Sequence, residues 1–462
     1  MPSADRTPSP GSGVTRVRAR SVAVIGVATA LLLAIGGILG GLPSPSADPA
    51  SPDAAGSATT TATATAAATA ATDRLDAAID QAQQRLRRVP ADHRGWAALG
   101  TAYLERARVT ADPSWYARAE GALRRSLAER PDGNPAALTG LAALANARHE
   151  FAEARKLARQ ALRLNRFDPD AYGVLADAET QLGHPAAATD AVQRMLDLRP
   201  GLPALARAAY DREQHGRTGE ARRLLRRALA AAFDPADVAF CRHQLGELAW
   251  HTGDLAGAEA HYPAGMAADP SYLPLRHGLA RVAAARGDLA AATAGYAELT
   301  SASPTPDYLL EYAELLRAAG RDGEADRQLA LAEAAHQLFT ASGGTDDLAA
   351  AELALARSRP AEAVRLARQE WQRRQFADVA DTLGWALHQA GRDAEAVEYA
   401  RRAGALGARN AGYAFHLGMI ELALGNRAAA RTQLARALDI NPHFSPRYAP
   451  VAARTLADLE SR

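Results

Sequence analysis

From about residue 74 onward, apolar residues recur at the three- and four-residue spacing of one face of an α-helix. Short breaks of Gly, Pro and Asp interrupt this pattern at nearly regular intervals. Each interval is long enough for two helices, and no segment shows the alternation that is typical of a β-strand. The pattern therefore predicts an all-α chain built from repeated helix–turn–helix units.

In most units a glycine ends the first helix: Gly183, Gly216, Gly253, Gly287, Gly320, Gly391 and Gly425. Successive glycines of this set are 33, 37, 34, 33, 71 and 34 residues apart. An alanine stands five positions after each glycine, and the gap of 71 hides one more unit with its turn at Ser358-Arg359-Pro360. Glycine adopts the left-handed conformation that ends a helix, and a small alanine lets paired helices approach closely. The spacing predicts ten units, which begin near residues 93, 135, 169, 202, 239, 273, 306, 344, 377 and 411.

One unit carries a more specific signature, Trp96-x2-Leu99-Gly100-x2-Tyr103, and later units keep its Leu-Gly step at 245–246, 383–384 and 417–418. This pattern resembles the tetratricopeptide repeat, a helix–turn–helix unit of about 34 residues. The resemblance covers about 370 residues of the chain. It implies a right-handed α-solenoid of about ten helix–turn–helix repeats.

Some segments depart from the repeat. The first unit has an insertion from Arg106 to Pro113, and His149 stands where the second unit should have its turn glycine. The seventh unit runs on past residue 333, so we expect the stack to be interrupted near 334–346, between sub-arrays of about seven and three units. Segments 74–89 and 446–461 are expected to cap the array, because terminal repeats need a polar outer face.

The segment 1–72 has a different character. Ser21 to Leu42 is an uncharged run of 22 residues, preceded by an arginine-rich segment, 1–20. As a helix it would be about 33 Å long, enough to cross a bilayer, and the positive-inside rule puts residues 1–20 in the cytoplasm. We therefore expect a single-pass membrane anchor at 21–42, a disordered Ser/Pro/Ala/Thr-rich linker at 43–72, and the solenoid outside the membrane at 73–462. The alternative is a signal peptide cleaved after residue 46 or 47, which would leave the repeats secreted.

Composition narrows the classes of function. The chain has 53 basic and 52 acidic residues and a formal net charge of +1, which argues against nucleic-acid binding. Cys241 is the only cysteine, so an intramolecular disulfide and a Cys-rich zinc site are excluded. HExxH, GxSxG and P-loop motifs are absent from the sequence. We therefore expect a protein without enzymatic activity or cofactor. The Ala and Arg bias indicates coding from a G+C-rich genome, and we expect a bacterial membrane-anchored protein.

In tetratricopeptide proteins the first helices line a concave groove, with the second, fifth, ninth, twelfth and thirteenth positions facing into it. The resemblance implies a partner-binding groove lined by fourteen side chains: Asp177, Tyr210, Glu213, His243, Glu247, Trp250, His251, His277, Arg281, Glu314, Arg317, Trp385, His388 and Phe415. Trp250 and Trp385 are either interface anchors or packing residues against a neighbouring unit. The groove positions hold no lysine, which argues against a clamp for chaperone tails. We expect a partner protein that presents an extended peptide or an amphipathic helix.

A metal site is a second hypothesis for the same surface. His243 and Glu247 are four positions apart, hence on one helix face, and His277 occupies the equivalent position of the next unit. Three such side chains can hold a zinc ion with an open coordination position. The alternative is that these are ordinary polar side chains of a groove.

Together these observations predict a non-catalytic protein-binding scaffold on the outer side of the membrane. Two alternatives remain open. One is a metal- or small-ligand-binding envelope protein that serves a transporter. The other is a structural spacer that associates with copies of itself along the solenoid edge.

Overall fold

The computed structural model describes residues 60–461, with side chains from residue 73 onward. This part of the chain contains 22 α-helices, a short 3-10 helix at Pro113–Trp115, and no β-strand. The helices are α1 Thr60–Arg88, α2 His93–Thr110, α3 Tyr116–Glu129, α4 Pro135–Ala147, α5 Phe151–Leu164, α6 Pro169–Gln181, α7 Pro185–Leu198, α8 Leu202–Gln214, α9 Thr218–Ala230, α10 Pro235–His251, α11 Leu255–Ala268, α12 Leu273–Ala285, α13 Leu289–Ala302, α14 Pro306–Ala318, α15 Asp322–Ala341, α16 Asp347–Ala356, α17 Pro360–Arg373, α18 Ala377–Gln389, α19 Asp393–Ala403, α20 Ala411–Ala423, α21 Arg427–Ile440 and α22 Tyr448–Glu460.

The helices from α2 to α21 form ten pairs, which we call units 1 to 10, and each helix packs against the next along the chain. Helix α1 packs before unit 1 and helix α22 after unit 10. The expected all-α array of helix pairs is therefore confirmed in the described part of the chain. Below, a "turn" joins the two helices of one unit, and a "connection" joins one unit to the next.

The N-terminal predictions lie mostly outside the described residues. The cytoplasmic tail at 1–20, the anchor at 21–42 and the linker as far as residue 59 all fall there. Among the helices of residues 60–461, none is both long enough and apolar enough to span a bilayer. The linker expected to reach residue 72 is shorter, because α1 begins at Thr60. Its first turns are rich in alanine, which extends a helix at little cost once packed residues such as Leu75 and Ile79 have formed its core.

Each unit has a residue in the left-handed region at its turn, with φ between 55° and 81°: Ala111, His149, Gly183, Gly216, Gly253, Gly287, Gly320, Ser358, Gly391 and Gly425. His149 and Ser358 therefore take the conformation that glycine takes in neighbouring units. The alanine five positions further on is buried in every unit from the third to the tenth, for example Ala258 and Ala430. Backbone and side-chain sterics thus fix the same local geometry along the array.

The expected interruption at 334–346 is not found. Helix α15 runs unbroken from Asp322 to Ala341, and Leu353 of unit 8 packs into the same apolar core as Leu316 and Leu329 of unit 7. The extra length of α15 instead carries Phe339 to the ring of His149 in unit 2, at 5.2 Å. The segment that breaks the sequence pattern is therefore a contact between distant parts of the array.

That contact is one of several, because the array coils back on itself. The backbone N–H of Thr345 donates to the carbonyl of Arg148 at 3.0 Å, and Arg374 donates to the side-chain oxygen of Gln181. The Asn441 amide donates to the carbonyl of Trp250 at 2.8 Å. Turns of units 2, 3 and 5 thus meet the connections that follow units 7, 8 and 10. We call this line of contacts the seam.

Candidate partner-binding surfaces

The first helices of the units form the inner wall of the coil. First helices of successive units contact one another, as α6 contacts α8 and α10 contacts α12. The Asp378 carboxylate of unit 9 also influences Tyr210 of unit 4. Burial first, and then this carboxylate, hold the pKa of Tyr210 well above its ordinary value. The polar side chains of this wall are largely paired with one another, from each first helix to the next.

A buried ion pair joins units 3 and 4. Arg207 of α8 donates to both carboxylate oxygens of Asp177 in α6, from Nε at 2.9 Å and from Nη2 at 2.7 Å. Both side chains are buried. A bidentate pair of this kind satisfies each partner and fixes the register of neighbouring helices. Asp177 is therefore occupied within the wall and has no free face for a ligand.

Units 5 and 6 are joined through Glu247. Its carboxylate accepts bonds from Arg281 and from the Tyr262 hydroxyl, the latter at 2.7 Å, and Nε2 of His243 lies 3.6 Å away. Burial alone would raise the pKa of Glu247, but Arg281 and His243 hold it well below the ordinary value. The Arg281 guanidinium also lies over the Trp250 ring, 5.1 Å from its centroid.

Units 6 and 7 are joined by His277 and Glu311, whose Nε2 and Oε2 atoms are 2.6 Å apart. The Tyr296 hydroxyl donates to the same carboxylate at 2.9 Å. Burial opposes ionisation, yet His277 and its neighbours lower the pKa of Glu311 to about 2. Glu311 is a wall residue that the sequence reasoning missed, and it stands one repeat after its partner.

The same arrangement recurs elsewhere on the wall. Nδ1 of His251 lies 2.8 Å from Oε1 of Glu213, and His416 contacts both oxygens of Asp381 at 2.9 and 3.0 Å. The His416 ring stacks on Trp385 with centroids 4.2 Å apart. A basic or histidine side chain and a carboxylate about one repeat length apart are thus the sequence signal that would have identified these hydrogen-bonded pairs.

Trp250, Trp385 and Phe415, which were predicted for the groove, are packing residues in this structure. Trp250 is 8% exposed, Trp385 is 7% exposed and Phe415 is 1% exposed, so each is seated between helices. Arg317 bonds to Asp326 and His388 to Asp393, so both are held by the second helix of their own unit. Two predicted groove side chains that keep substantial exposure are Glu213 (24%) and His251 (47%).

The metal hypothesis finds no support in the described residues, where no three His, Cys, Asp or Glu side chains gather in a metal-binding arrangement. Glu247 is taken by Arg281 and Tyr262, and His277 is bonded to Glu311. Packing therefore pairs Glu247 and His277 with other side chains of the wall. The equivalent positions of His243 and His277 in successive units did not reveal these partners.

A cavity of about 250 Å³ opens at the seam between units 3–4 and units 8–9. Trp371, Phe376 and Leu406 form apolar parts of its lining. Tyr210, Gln214 and Gln375 also line it, and their side chains make no hydrogen bond to another residue of the described chain. Partnerless polar groups around an apolar cavity are typical of a small-ligand site.

Comparison with known proteins identifies the repeat. Residues 411–444 match the family model described as tetratricopeptide repeat. These residues are unit 10, and the nine preceding helix pairs repeat its arrangement. Unit 10 is therefore similar to a tetratricopeptide repeat. Arrays of this kind generally act as protein-interaction scaffolds, because stacked units present extended surfaces.

Three solved structures give the range of the likeness. A thermophilic TPR protein of Thermus thermophilus is 22% identical, with 41% of this chain and 98% of that chain covered and a TM-score of 0.36. The Cut9–Hcn1 hetero-tetramer of APC/C is 13% identical over 84% and 94%, with a TM-score of 0.37. The human IFIT1 dimer with PPP-AAAA is 18% identical over 71% and 78%, with a TM-score of 0.45. The chain matches no curated protein.

Proposed function

We propose that this protein is a non-catalytic tetratricopeptide-repeat scaffold that binds a partner protein on the inner wall of its coil. The observation that supports this best is the pairing along the wall. Because Asp177, Glu247 and His277 are held by neighbouring units, the wall is fixed before any ligand arrives, which lowers the entropic cost of binding. Partly exposed side chains such as Glu213 and His251 remain available to a ligand.

We further propose that the repeats lie on the outer side of a bacterial membrane, anchored through residues 21–42. The support is the uncharged run of 22 residues and the arginines that precede it. Protease added to intact spheroplasts should then digest the repeats and leave residues 1–20 protected. Repeats that resist digestion until the membrane is permeabilised would contradict this placement.

Binding at the wall is tested by affinity capture from solubilised envelope, with the full chain in detergent as bait. The test variant is Glu213→Ala with His251→Ala, which removes a partly exposed pair. The matched control is Glu259→Ala with Arg286→Ala, which removes an exposed pair joined at 2.7 Å on the second helix of unit 5 and the turn of unit 6. We expect a partner that the native chain and the control retain and the test variant loses. Equal retention by both variants would contradict binding at this wall.

The seam cavity supports a second candidate function, the binding of a small aromatic ligand, because Tyr210, Gln214 and Gln375 line it and make no side-chain hydrogen bond within the described part of the chain. Indole and phenol are suitable probes, with saturation-transfer NMR as the measurement. Ala405→Phe should fill the cavity and abolish the signal, whereas Ala423→Phe, at an exposed residue outside the cavity, should leave it unchanged. Equal signals from both variants would place the probes elsewhere.

A further inference from the structure

The segment 441–448, between α21 and the first residue of α22, runs from the seam at Asn441 to the inner wall at Ser445 and Tyr448. It touches four units. The Asn441 amide donates to the carbonyl of Trp250 in unit 5 at 2.8 Å, and the Ser445 hydroxyl donates to Glu314 in unit 7. The Tyr448 ring lies 5.9 Å from that of Trp385 in unit 9 and 5.3 Å from that of Phe415 in unit 10, between centroids.

These contacts reach further than capping requires. A terminal cap needs to cover only the last unit of an array. Here the hydrogen bonds join residues 191 and 131 positions apart, and Asn441 and Ser445 are both buried. The residues that receive the segment in units 5, 7, 9 and 10 are all ones whose register position predicts contact with a partner.

The contacts themselves are those of peptide recognition. The amide of Asn441 donates to a backbone carbonyl, the hydroxyl of Ser445 donates to a carboxylate, and the ring of Tyr448 packs on two aromatic rings. Ser445 also accepts the backbone N–H groups of Arg447 at 3.2 Å and Tyr448 at 2.8 Å, so it caps the first turn of α22. The occupant is therefore a segment of turns that leads into a helix.

We propose that residues 441–448 occupy in cis the binding site of a partner peptide, one that presents an amide, a hydroxyl and an aromatic side chain at the spacing of Asn441, Ser445 and Tyr448. This rests on the proposed function, since it names the class of partner for the inner wall. A partner of that class displaces the segment. A tethered occupant has an effective concentration in the millimolar range, so loosening the segment increases the affinity for the same peptide in trans.

The test uses the full chain in detergent and a fluorescein-labelled peptide of residues 440–450, with a scrambled peptide as the sequence control. Tyr448→Ala removes the ring from Trp385 and Phe415, and Arg454→Ala changes an exposed residue of α22. Fluorescence anisotropy should show that Tyr448→Ala binds the peptide about ten-fold more tightly than native or Arg454→Ala. Adding Glu314→Gln to Tyr448→Ala should weaken binding about ten-fold, because the acceptor of the hydroxyl loses its charge.

Equal binding by native and Tyr448→Ala, no binding by folded Tyr448→Ala, or indifference to Glu314→Gln would each overturn the proposal. Folding is checked by circular dichroism. If Tyr448→Ala is unfolded, Asn441→Ala with Ser445→Ala loosens the segment and leaves the ring packing intact. The outcome is separable from that of the scaffold proposal. If a partner is captured and its affinity is the same for all these variants, only the present inference is contradicted. If the peptide binds in trans and no partner is captured, only the scaffold proposal is contradicted.

Discussion

At the scale of single residues, the ten turns show one backbone conformation in two environments. Gly253 of unit 5 lies at the seam, where an added Cβ would stand 2.6 Å from the carbonyl oxygen of Ile440. Gly391 and Gly425, in units 9 and 10, would meet nothing within 4 Å. The glycine pattern in the sequence is the same at all three, because it reflects only the left-handed φ of a helix end.

Alanine substitution should separate these two environments. Gly425→Ala should cost about 1 kcal/mol in free energy of unfolding, because a Cβ is strained at a φ of 80°. Gly253→Ala carries the same strain at 74° and must also displace Ile440, so we expect about 1–3 kcal/mol more. Urea denaturation of the two full-length variants measures the difference. Equal costs would mean that the seam is open in solution.

At the scale of elements, adjacent first helices are held by side chains one repeat apart. Asp177 of α6 and Arg207 of α8 are 30 positions apart in the chain and buried together. Burial raises the pKa of Asp177, and the charge of Arg207 opposes that rise. The pair therefore makes helix register depend on both partners.

A double-mutant cycle tests this coupling. Arg207→Met should cost about 3–5 kcal/mol, because it leaves a buried carboxylate without a partner. Asp177→Leu combined with Arg207→Met should recover most of that loss, since two apolar side chains replace the pair. Chemical denaturation of the single and double variants provides the energies. Additive losses would show that the two side chains act independently.

At the scale of the whole molecule, the seam carries a buried histidine. Burial lowers the pKa of His149 to about 4, Asp346 opposes the shift, and Arg374 and Arg373 add to it. Its Nδ1 lies 3.5 Å from an oxygen of Asp346, and its ring packs on Phe151 and Phe339. Protonation of this group therefore acts where unit 2 meets the connection between units 7 and 8.

The pH dependence follows from the direction of that shift. The folded pKa lies below the ordinary value of 6.5, so the stability linked to neutral His149 is complete above pH 6.5 and is lost as the pH falls towards 4. The loss should be about 2 kcal/mol at pH 5. His149→Asn tolerates the left-handed conformation and does not titrate, so its stability should fall less steeply over this range. Parallel profiles of stability against pH for native and variant would refute a role for His149. Burial also lowers the pKa of His243 to about 4, but His243 is present in both proteins and so contributes equally to both profiles.

The helix pairs, their turns and their packing alanines were predictable from the sequence, because each of these depends on contacts within about one repeat length. The sequence also placed His149 and Ser358 at turns, although neither is glycine. The tertiary structure alone decided which turns are crowded, that Trp250 and Trp385 are packing residues, and that segment 441–448 runs from the seam to the inner wall. The physical reason is that the coil of a repeat array is the sum of small rotations between units. No single repeat encodes that sum, and it brings together side chains from units far apart in the chain, as in Arg374 and Gln181.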